Sequence, residues 1–244
     1  MSEQRDLEGL NALVTGATSG IGRAAAEELA RQGAQVIVHG RDAARGDAVA
    51  SGIAAEGGKA RFIAADLSQP TGVDDLIQQA GQVDILVNNA GFGWFGPTDE
   101  LDAPTFEQLM VANVRAPYFL VAALAPAMAA RGSGSIINIG SMAGQVGMPG
   151  GAAYGATKAA LAAMTRSWAA EFSPAGVRVN TVGAGPVYTA IQPPEVTDAV
   201  GATTIMARAA QPEEISGVIA FLASPKASYI TGAVIAVDGG RTAI

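Results

Sequence analysis

The stretch that decides the fold is Leu10-Asn11-Ala12-Leu13-Val14-Thr15-Gly16-Ala17-Thr18-Ser19-Gly20-Ile21-Gly22. Its apolar first half predicts a short buried strand, and an amphipathic helical pattern follows the glycines as far as Arg31. A second apolar run, Gln35 to Val38, predicts another strand. A strand, a glycine-rich turn, a helix and a second strand within about 30 residues indicate a βαβ unit that binds a dinucleotide.

The glycine-rich turn itself predicts a phosphate-binding site. Its spacing is Gly-x-x-x-Gly-x-Gly rather than the commoner Gly-x-Gly-x-x-Gly. Glycines permit a tight turn, and the N-terminus of the next helix offers free N–H groups and a positive dipole end to a pyrophosphate. A purely structural turn can carry the same glycines, but a position between strand and helix favours cofactor binding. The candidate contacts are Gly16, Thr18, Ser19, Gly20, Ile21 and Gly22.

The residues after the second strand bear on the choice between NADP(H) and NAD(H). An NAD-type site places a carboxylate at this strand end to accept hydrogen bonds from the ribose hydroxyls, and Gly40 occupies that position here. Arg41 follows and can pair with a 2′-phosphate, so the sequence favours NADP(H). Asp42 could serve NAD(H) instead, but it is better placed to cap the helix that runs to Glu56.

The alternation of strands and helices continues along the whole chain. Further strands are predicted over residues 60–64, 84–87, 135–139, 177–182 and 233–237. There is no obvious linker or repeat, so we expect one domain, residues 1–244, that binds the dinucleotide and carries out catalysis. The expected fold is α/β, a Rossmann-type doubly wound parallel sheet of about seven strands with helices on both faces.

Small and polar residues follow the predicted strands, where open parallel sheets bind their ligands. The carboxylate of Asp66 either contacts an adenine amine or caps the helix from Thr71 to Ala80. Asn88-Asn89-Ala90-Gly91 either forms a wall along a flat cofactor or simply makes a turn. The candidate cofactor contacts here are Asp66, Leu67, Asn89, Ala90 and Gly91.

A tyrosine and a lysine after the fifth strand indicate proton transfer. Tyr154 and Lys158 lie four residues apart on a helix predicted over Ala152 to Ala170, so they share one face. An unperturbed tyrosine has a pKa of about 10, and a nearby cation lowers that pKa, which makes the phenol a usable acid or base. Taken alone, the spacing equally describes a solvated helix face. Asn113, inside the helical segment from Pro104 to about Arg131, has a solvent-facing alternative too.

Composition excludes other kinds of chemistry. The chain has no cysteine, which rules out thiol nucleophiles and thiolate metal sites. It has one histidine, His39, with an ordinary place at a strand end, so we expect no metal site. The net charge of −7 argues against nucleic-acid and anionic-membrane binding. Met1 to Glu8 is no signal peptide and Tyr118 to Ala130 is too short to span a bilayer, so we expect a cytoplasmic protein.

Together, in this order and spacing, these motifs resemble those of the short-chain dehydrogenase/reductase family. The matching residues are Thr15-Gly16-x-x-x-Gly20-Ile21-Gly22, Asn88-Asn89-Ala90-Gly91, Asn113, Ser141, Tyr154-x-x-x-Lys158 and Asp238-Gly239-Gly240. The resemblance implies that Tyr154 gives a proton to a carbonyl oxygen, or removes one from an alcohol, while Ser141 hydrogen-bonds that oxygen. It also implies that Lys158 lowers the Tyr154 pKa and holds the nicotinamide ribose, and that Asn113 supports a water leading from Lys158 to solvent.

The loop after the sixth strand departs from the family. It reads Ala184-Gly185-Pro186 where Pro-Gly is usual, which removes a restriction on backbone φ. The resemblance implies that Thr189 and the backbone near Val187 contact the nicotinamide carboxamide, with Gly185 in the same loop. Residues from about 189 to 210, of which Gln192 to Arg208 show little periodicity, are expected to form a mobile lid.

The substrate is left open. The leading function is NADPH-dependent reduction of a small or medium carbonyl compound to a secondary alcohol. The alternatives are an NAD-dependent alcohol dehydrogenase and, more distantly, a non-catalytic nucleotide-binding sensor or scaffold. The chain is also similar to 3-oxoacyl-carrier-protein reductases, and Arg131 and Arg166 are candidates to meet an acidic carrier. The apolar Phe92, Trp94 and Phe95 suggest a partly apolar pocket.

The resemblance further implies a homotetramer. In such a tetramer, the long helices of one copy, near residues 104–131 and 152–173, would pair with those of another copy across an interface. Their alanine-rich faces permit close helix approach, although such faces also pack inside monomers. The alanines concerned are Ala122, Ala123, Ala159, Ala160 and Ala163.

Overall fold

A computed structural model describes residues 5–69, 71–190 and 192–244, so Met1 to Gln4 of the predicted charged N-terminus lie outside it. Seven parallel strands form one sheet in the order β3-β2-β1-β4-β5-β6-β7. The strands are β1 (Asn11–Val14), β2 (Gln35–Gly40), β3 (Lys59–Ala64), β4 (Ile85–Asn88), β5 (Gly134–Ser141), β6 (Val177–Ala184) and β7 (Val234–Val237). The helices are α1 (Gly20–Arg31), α2 (Ala43–Ala55), α3 (Gly72–Ala80), α4 (Ala103–Met110), α5 (Ala116–Ala130), α6 (Ala152–Phe172), α7 (Pro194–Gly201) and α8 (Pro212–Ala223).

This order confirms the predicted doubly wound sheet, because the direction of winding reverses between β1 and β4. Helices α1, α2 and α8 pack on one face, and α3, α5 and α6 pack on the other. Neighbouring strand residues point to opposite faces, so Leu13 belongs to one core and Val14 to the other. The reversal opens a crevice at the carboxyl ends of the strands.

Three strands run two residues further than their apolar sequences predict. β2 continues to Gly40 because it pairs with Ala64 of β3, and Ser141 at the end of β5 pairs with Ala184 at the end of β6. The backbone of a neighbouring strand completes these hydrogen bonds, so the side chains need not be apolar. This register places Ser141 at the edge where the crevice opens.

The predicted helix from Pro104 to Arg131 is present with one irregularity. α4 passes through a π-helical turn, Val111–Arg115, into α5. Within the described ranges, this 28-residue helix alone is long and apolar enough to cross a membrane. Core helices of soluble proteins meet the same criterion, and its Leu120 and Leu124 pack in the core against the sheet.

The segment from Gln192 to Arg208, which shows little periodicity in the sequence, contains a helix, α7. Pro194 and Glu195 in its first turn favour a helix start. With only 8 residues, α7 makes about two turns, which is too short to show a clear apolar period.

Candidate active site

The glycine-rich turn lies at the crevice between β1 and α1. Gly16 has a φ of 63°, in the left-handed region that glycine favours. A Cβ on Gly22 would lie 2.4 Å from both the Asn89 Nδ2 atom and the Gly16 carbonyl oxygen. Ser19, the N-cap of α1, makes no capping hydrogen bond through its side chain. The first N–H groups of α1 are therefore left to an anion.

Thr15 and Asn89 hold this turn against the end of β4. The Thr15 hydroxyl donates to the Val87 carbonyl at 3.2 Å and accepts the N–H groups of Asn89 and Ala90, each at 3.0 Å. The Asn89 amide donates to the carbonyl oxygens of Thr15 and Gly16 at 2.9 and 3.0 Å. The Asn89 side chain thus braces the turn, and Thr15, which the sequence indicated only as part of the family motif, is a central contact.

His39 links the same turn to the end of β3. Its Nδ1 accepts the Gly16 N–H at 3.3 Å, and its Nε2 lies 3.2 Å from the Ala65 carbonyl oxygen. Burial lowers the pKa of His39 to about 4, so the ring is neutral and donates from Nε2. His39 lies near the end of β2 as expected, and from there it joins two segments that line the crevice.

The end of β2 has no room for a carboxylate side chain at Gly40. A Cβ on Gly40 would lie 2.5 Å from Thr18 Cγ2, so an acidic side chain there would displace Thr18. Arg41 is exposed next to it, and no salt bridge between described residues engages its guanidinium. Asp42 caps α2 as expected, accepting the Arg45 N–H at 3.0 Å.

Asp66 and Leu67 follow β3. The carboxylate of Asp66 accepts the hydroxyl and the N–H of Ser68 at 2.7 and 3.0 Å, and these bonds hold its pKa below the usual range. The alternative in which Asp66 caps the helix from Thr71 is therefore wrong, because it closes a tight turn instead. Leu67 is buried in the core, which leaves only its backbone to contact a ligand.

The end of β5 and the start of α6 bring Ser141, Tyr154 and Lys158 to one cavity. The Nζ atom of Lys158 lies 5.6 Å from the centre of the Tyr154 ring. It donates a hydrogen bond to the Ile139 carbonyl oxygen at 2.9 Å, which fixes the ammonium beneath the sheet edge. The helix spacing that suggested a shared face therefore places this pair at the crevice, and not on a solvated face.

Burial acts on the two titratable groups in opposite directions. It raises the pKa of Tyr154 above 10.0, and a hydrogen bond with Ser141 opposes that rise. It lowers the pKa of Lys158 to about 8. The expected net lowering of the Tyr154 pKa by Lys158 is thus wrong for the protein alone, because desolvation of the phenolate is the larger effect. At neutral pH both groups keep their protons.

Asn113 lies in the π-helical turn and is buried, so its solvent-facing alternative is wrong. Its Nδ2 donates to the Phe92 carbonyl at 2.9 Å and to the Thr157 hydroxyl at 3.1 Å. Its Oδ1 accepts the Phe92 N–H at 3.1 Å. The side chain therefore ties the loop after β4 to α6. Its part in a water relay stays a prediction.

The loop after β6 crosses the open side of the crevice. Gly185 passes so close to β7 that a Cβ would lie 2.6 Å from Asp238 Cα. Thr189 approaches the glycine-rich turn, where its Cγ2 would lie 3.1 Å from a Cβ on Gly20. Val187 forms an isolated parallel bridge with Ala210, which closes the base of the segment that contains α7.

The two arginines that were candidates to meet an acidic carrier lie in different places. Arg131 donates to the Val83 carbonyl at 2.8 Å, at the opposite edge of the sheet, so its expected place beside the cavity is wrong. Arg166 is exposed on α6. In the part of the chain that the structure describes, no three acidic or histidine side chains are grouped to hold a metal ion.

The chain is similar to known proteins over nearly its full length. A family model described as enoyl-(acyl carrier protein) reductase matches residues 16–242. The gluconate 5-dehydrogenase of Gluconobacter oxydans is 38% identical over 247 residues, which cover 97% of this chain and 96% of the relative. A solved short-chain dehydrogenase/reductase family protein is 51% identical with a TM-score of 0.91, covering 98% of this chain and all of that one.

A second solved structure, an angucycline C-6 ketoreductase with bound NADP, is 35% identical with a TM-score of 0.90 and covers 98% of both chains. The family model, the relatives and the solved structures each match nearly the whole chain. The chain therefore belongs to the short-chain dehydrogenase/reductase family and is an oxidoreductase of carbonyl and alcohol groups.

Proposed function

We propose that the chain is an NADPH-dependent reductase that converts a small-molecule carbonyl to a secondary alcohol. The observation that carries this proposal is the meeting of Ser141, Tyr154 and Lys158 in one cavity beside the glycine-rich turn. Two hydroxyl groups suit an oxygen on which negative charge develops. When bound, the cofactor supplies the hydride.

Each residue then has a role. Tyr154 donates its proton to the developing alkoxide, and Ser141 donates a hydrogen bond to the same oxygen. Lys158, 5.6 Å from the phenol ring, stabilises the phenolate that remains, and we assign the ribose hydroxyls of the cofactor to it as well. Asn113 positions the loop after β4 and supports the water that returns a proton to this pair.

The residues around the crevice fit a phosphorylated dinucleotide. The glycines leave room for a close approach, the start of α1 is left to an anion, and Arg41 stands exposed where a 2′-phosphate would meet it. A relative of similar structure holds NADP. We assign cofactor binding to Gly16, Thr18, Ser19, Gly20, Ile21, Gly22, Arg41, Asp66, Leu67, Asn89, Ala90, Gly91, Tyr154, Lys158, Gly185, Val187 and Thr189.

Tyr154→Phe tests the proton donor. We expect turnover of a panel of ketones with NADPH to fall by about 10³-fold or more, because the ring stays and the proton is lost. Tyr229→Phe is the matched control, since Tyr229 is fully exposed away from the cavity. Unchanged turnover in Tyr154→Phe with every ketone would remove the catalytic assignment of Tyr154, whereas a folded wild type that binds NADPH but turns over no ketone would favour the nucleotide-binding sensor or scaffold.

Arg41→Ala tests the cofactor. We expect the wild type to prefer NADPH over NADH by about tenfold or more in kcat/KM, and Arg41→Ala to lose most of that preference. Arg45→Ala removes another exposed arginine of the same segment, one that already pairs with Asp42, and should leave the cofactor preference unchanged. A wild-type preference for NADH would favour the alternative, an NAD-dependent alcohol dehydrogenase.

We also propose one domain over residues 1–244, a lid over about 189–210 and a cytoplasmic location.

We further propose that the protein is a homotetramer. Four alanines on α5 and α6 face outward, where a second copy could pack closely: Ala122, Ala123, Ala159 and Ala163. Light scattering should give four times the 24.5 kDa of one chain, and Phe119→Glu on the exposed face of α5 should reduce that mass. A Tyr229→Glu variant controls for the added charge.

A further inference from the structure

The part of the cavity beyond the two hydroxyl groups is apolar. Its wall is formed by Phe92, Phe95, Met142, Met148, Pro186 and Val200. Lys158 is the one charged side chain among the described residues that line the cavity, and its ammonium is bound to the Ile139 carbonyl. A charged group at the apolar end of a substrate would therefore find no counter-charge there.

Phe95 is held in place at this end. Its ring centre lies 5.2 Å from that of Tyr154, with the ring planes inclined at 57°. A Cβ on Gly93 would lie 2.8 Å from Phe95 Cε2, so the loop can fold closely around the ring only with glycine there. The Gly96 N–H donates to the Gly150 carbonyl at 3.1 Å, which fastens the loop after β4 to the segment before α6.

This fastening places an aromatic surface directly beside the proton donor. Phe95 and Tyr154 line the same cavity with their rings in contact, so a group attached to the reacting carbonyl can lie against Phe95 when the oxygen meets Tyr154. Phe95 is 37% exposed, so a carboxylate against its ring would exchange part of its water for apolar surface without gaining a counter-charge, whereas an apolar body gains from leaving water. The net charge of −7 adds no general attraction for anions.

The cavity is also small. The space at the two hydroxyl groups has a volume of about 140 Å³, and a second cavity of about 590 Å³ shares Thr189 and Gln192 with it. Pockets for drug-sized ligands measure about 300–1,000 Å³. The nicotinamide side of the site shares this space, because Asn89 and Thr189 belong to the same lining. The remaining room suits a compact ring or a short aliphatic chain.

From these contacts we propose that the substrate is an uncharged, compact and largely apolar ketone, and that Phe95 is the residue that selects it over carboxylated ketones. This inference rests on the proposed carbonyl reduction. It concerns only which ketone enters, so it can fail while the proposed function holds.

The test compares 4-methylcyclohexanone with 4-oxocyclohexanecarboxylate, which share a ring and a carbonyl and differ in one charged group. We expect kcat/KM with NADPH to be about tenfold or more higher for the neutral ketone, mainly through KM. Calorimetric titration of each ketone into the protein with NADP⁺ should show the same order of dissociation constants, independently of turnover.

Two variants locate the cause. Phe95→Ser should raise KM for the neutral ketone by about tenfold and leave the NADPH dissociation constant unchanged, because it removes the apolar surface only. Met148→Lys, which adds a cation at the same end, should narrow the preference for the neutral ketone by about threefold or more. Tyr229→Lys adds the same charge on the exposed surface and should leave the preference unchanged.

The outcomes separate the two claims. Equal or better use of the carboxylate by the wild type, or a Phe95→Ser variant with unaltered KM, overturns the inference and leaves carbonyl reduction intact. If the folded wild type turns over neither ketone, nor any member of a broad ketone panel, with NADPH or NADH, the proposed function fails and this inference fails with it.

Discussion

Tyr154 keeps its proton because burial raises the pKa of its phenol above 10.0. Reduction uses the protonated phenol together with the Lys158 cation, so kcat/KM for ketone reduction should stay flat from about pH 6 to about pH 7 and then fall as the pH passes the Lys158 pKa of about 8. Oxidation of the alcohol uses the phenolate, whose fraction rises about tenfold per pH unit below the pKa. Steady-state rates in both directions across this pH range test the expectation.

A Lys158→Met variant sharpens that test. It removes the positive charge near the phenolate, so the rise in alcohol oxidation should move to higher pH. Cofactor affinity, followed by NADPH fluorescence, separates this effect from the loss of ribose binding. An oxidation rate that does not change with pH in the wild type would show that a group other than Tyr154 takes the proton.

His39 makes stability depend on pH. Its pKa of about 4 in the folded protein lies below the ordinary 6.5, so the unfolded chain takes up the proton first as the pH falls. The contribution of neutral His39 to the free energy of unfolding is complete above about pH 6.5. It declines by on the order of 3 kcal/mol as the pH falls towards about 4. The hydrogen bond to the Ala65 carbonyl and, more weakly, the nearby Asp66 carboxylate oppose this lowering of the pKa but do not cancel it.

His39→Gln tests this dependence, because glutamine can donate and accept hydrogen bonds but does not titrate in this range. Urea unfolding at about pH 7, 5.5 and 4.5 should show a flatter dependence for the variant, although it starts less stable at pH 7 by about 1–2 kcal/mol. Equal slopes for both proteins would mean that acidic groups elsewhere cause the decline.

Among the elements, the π-helical turn between α4 and α5 has the most direct link to the site. It directs Asn113 inward, where its side chain makes three hydrogen bonds to Phe92 and Thr157. π-helical turns inside α-helices are frequent at functional sites, where they redirect a side chain. Here the turn couples the loop that carries Phe95 to the helix that carries Tyr154.

Asn113→Ala should leave the Phe92 N–H and carbonyl without partners. We expect the free energy of unfolding to fall by about 1–3 kcal/mol, and kcat/KM to fall because the loop after β4 loses its link to α6. Asn113→Asp keeps the acceptor for the Phe92 N–H and should lie between wild type and alanine. Denaturant unfolding measures the free energy of unfolding, and ketone turnover measures kcat/KM. An Asn113→Ala variant that is as stable as the wild type would contradict the proposed role of Asn113 in holding the loop after β4.

For the whole molecule, cofactor binding should appear as stabilisation. NADPH at about 100 times its dissociation constant should add about 2.7 kcal/mol to the folded state, which corresponds to about 5–11 °C in Tm for a protein of this size. NADH at the same concentration should give a smaller shift, and Arg41→Ala should reduce the NADPH shift. Thermal unfolding with equal shifts for both cofactors would contradict the NADP(H) preference.

Local patterns were enough to predict the architecture. Apolar runs and glycines are properties of neighbouring residues, so the sheet of seven strands, the glycine-rich turn and the Asp42 cap follow from the sequence. The same reasoning placed Ser141, Tyr154 and Lys158 at the carboxyl edge, because the ends of parallel strands meet there.

Only the tertiary structure decided how these residues are held and how acidic they are. Thr15 meets Asn89 across 74 positions of the chain, His39 meets Gly16 across 23, and Asn113 meets Thr157 across 44, so no local pattern contains these contacts. The Tyr154 pKa rises although a cation lies four residues away, because desolvation depends on everything packed around the ring. The sequence determined which groups face the crevice, and packing between distant segments determined their protonation and the apolar wall beside them.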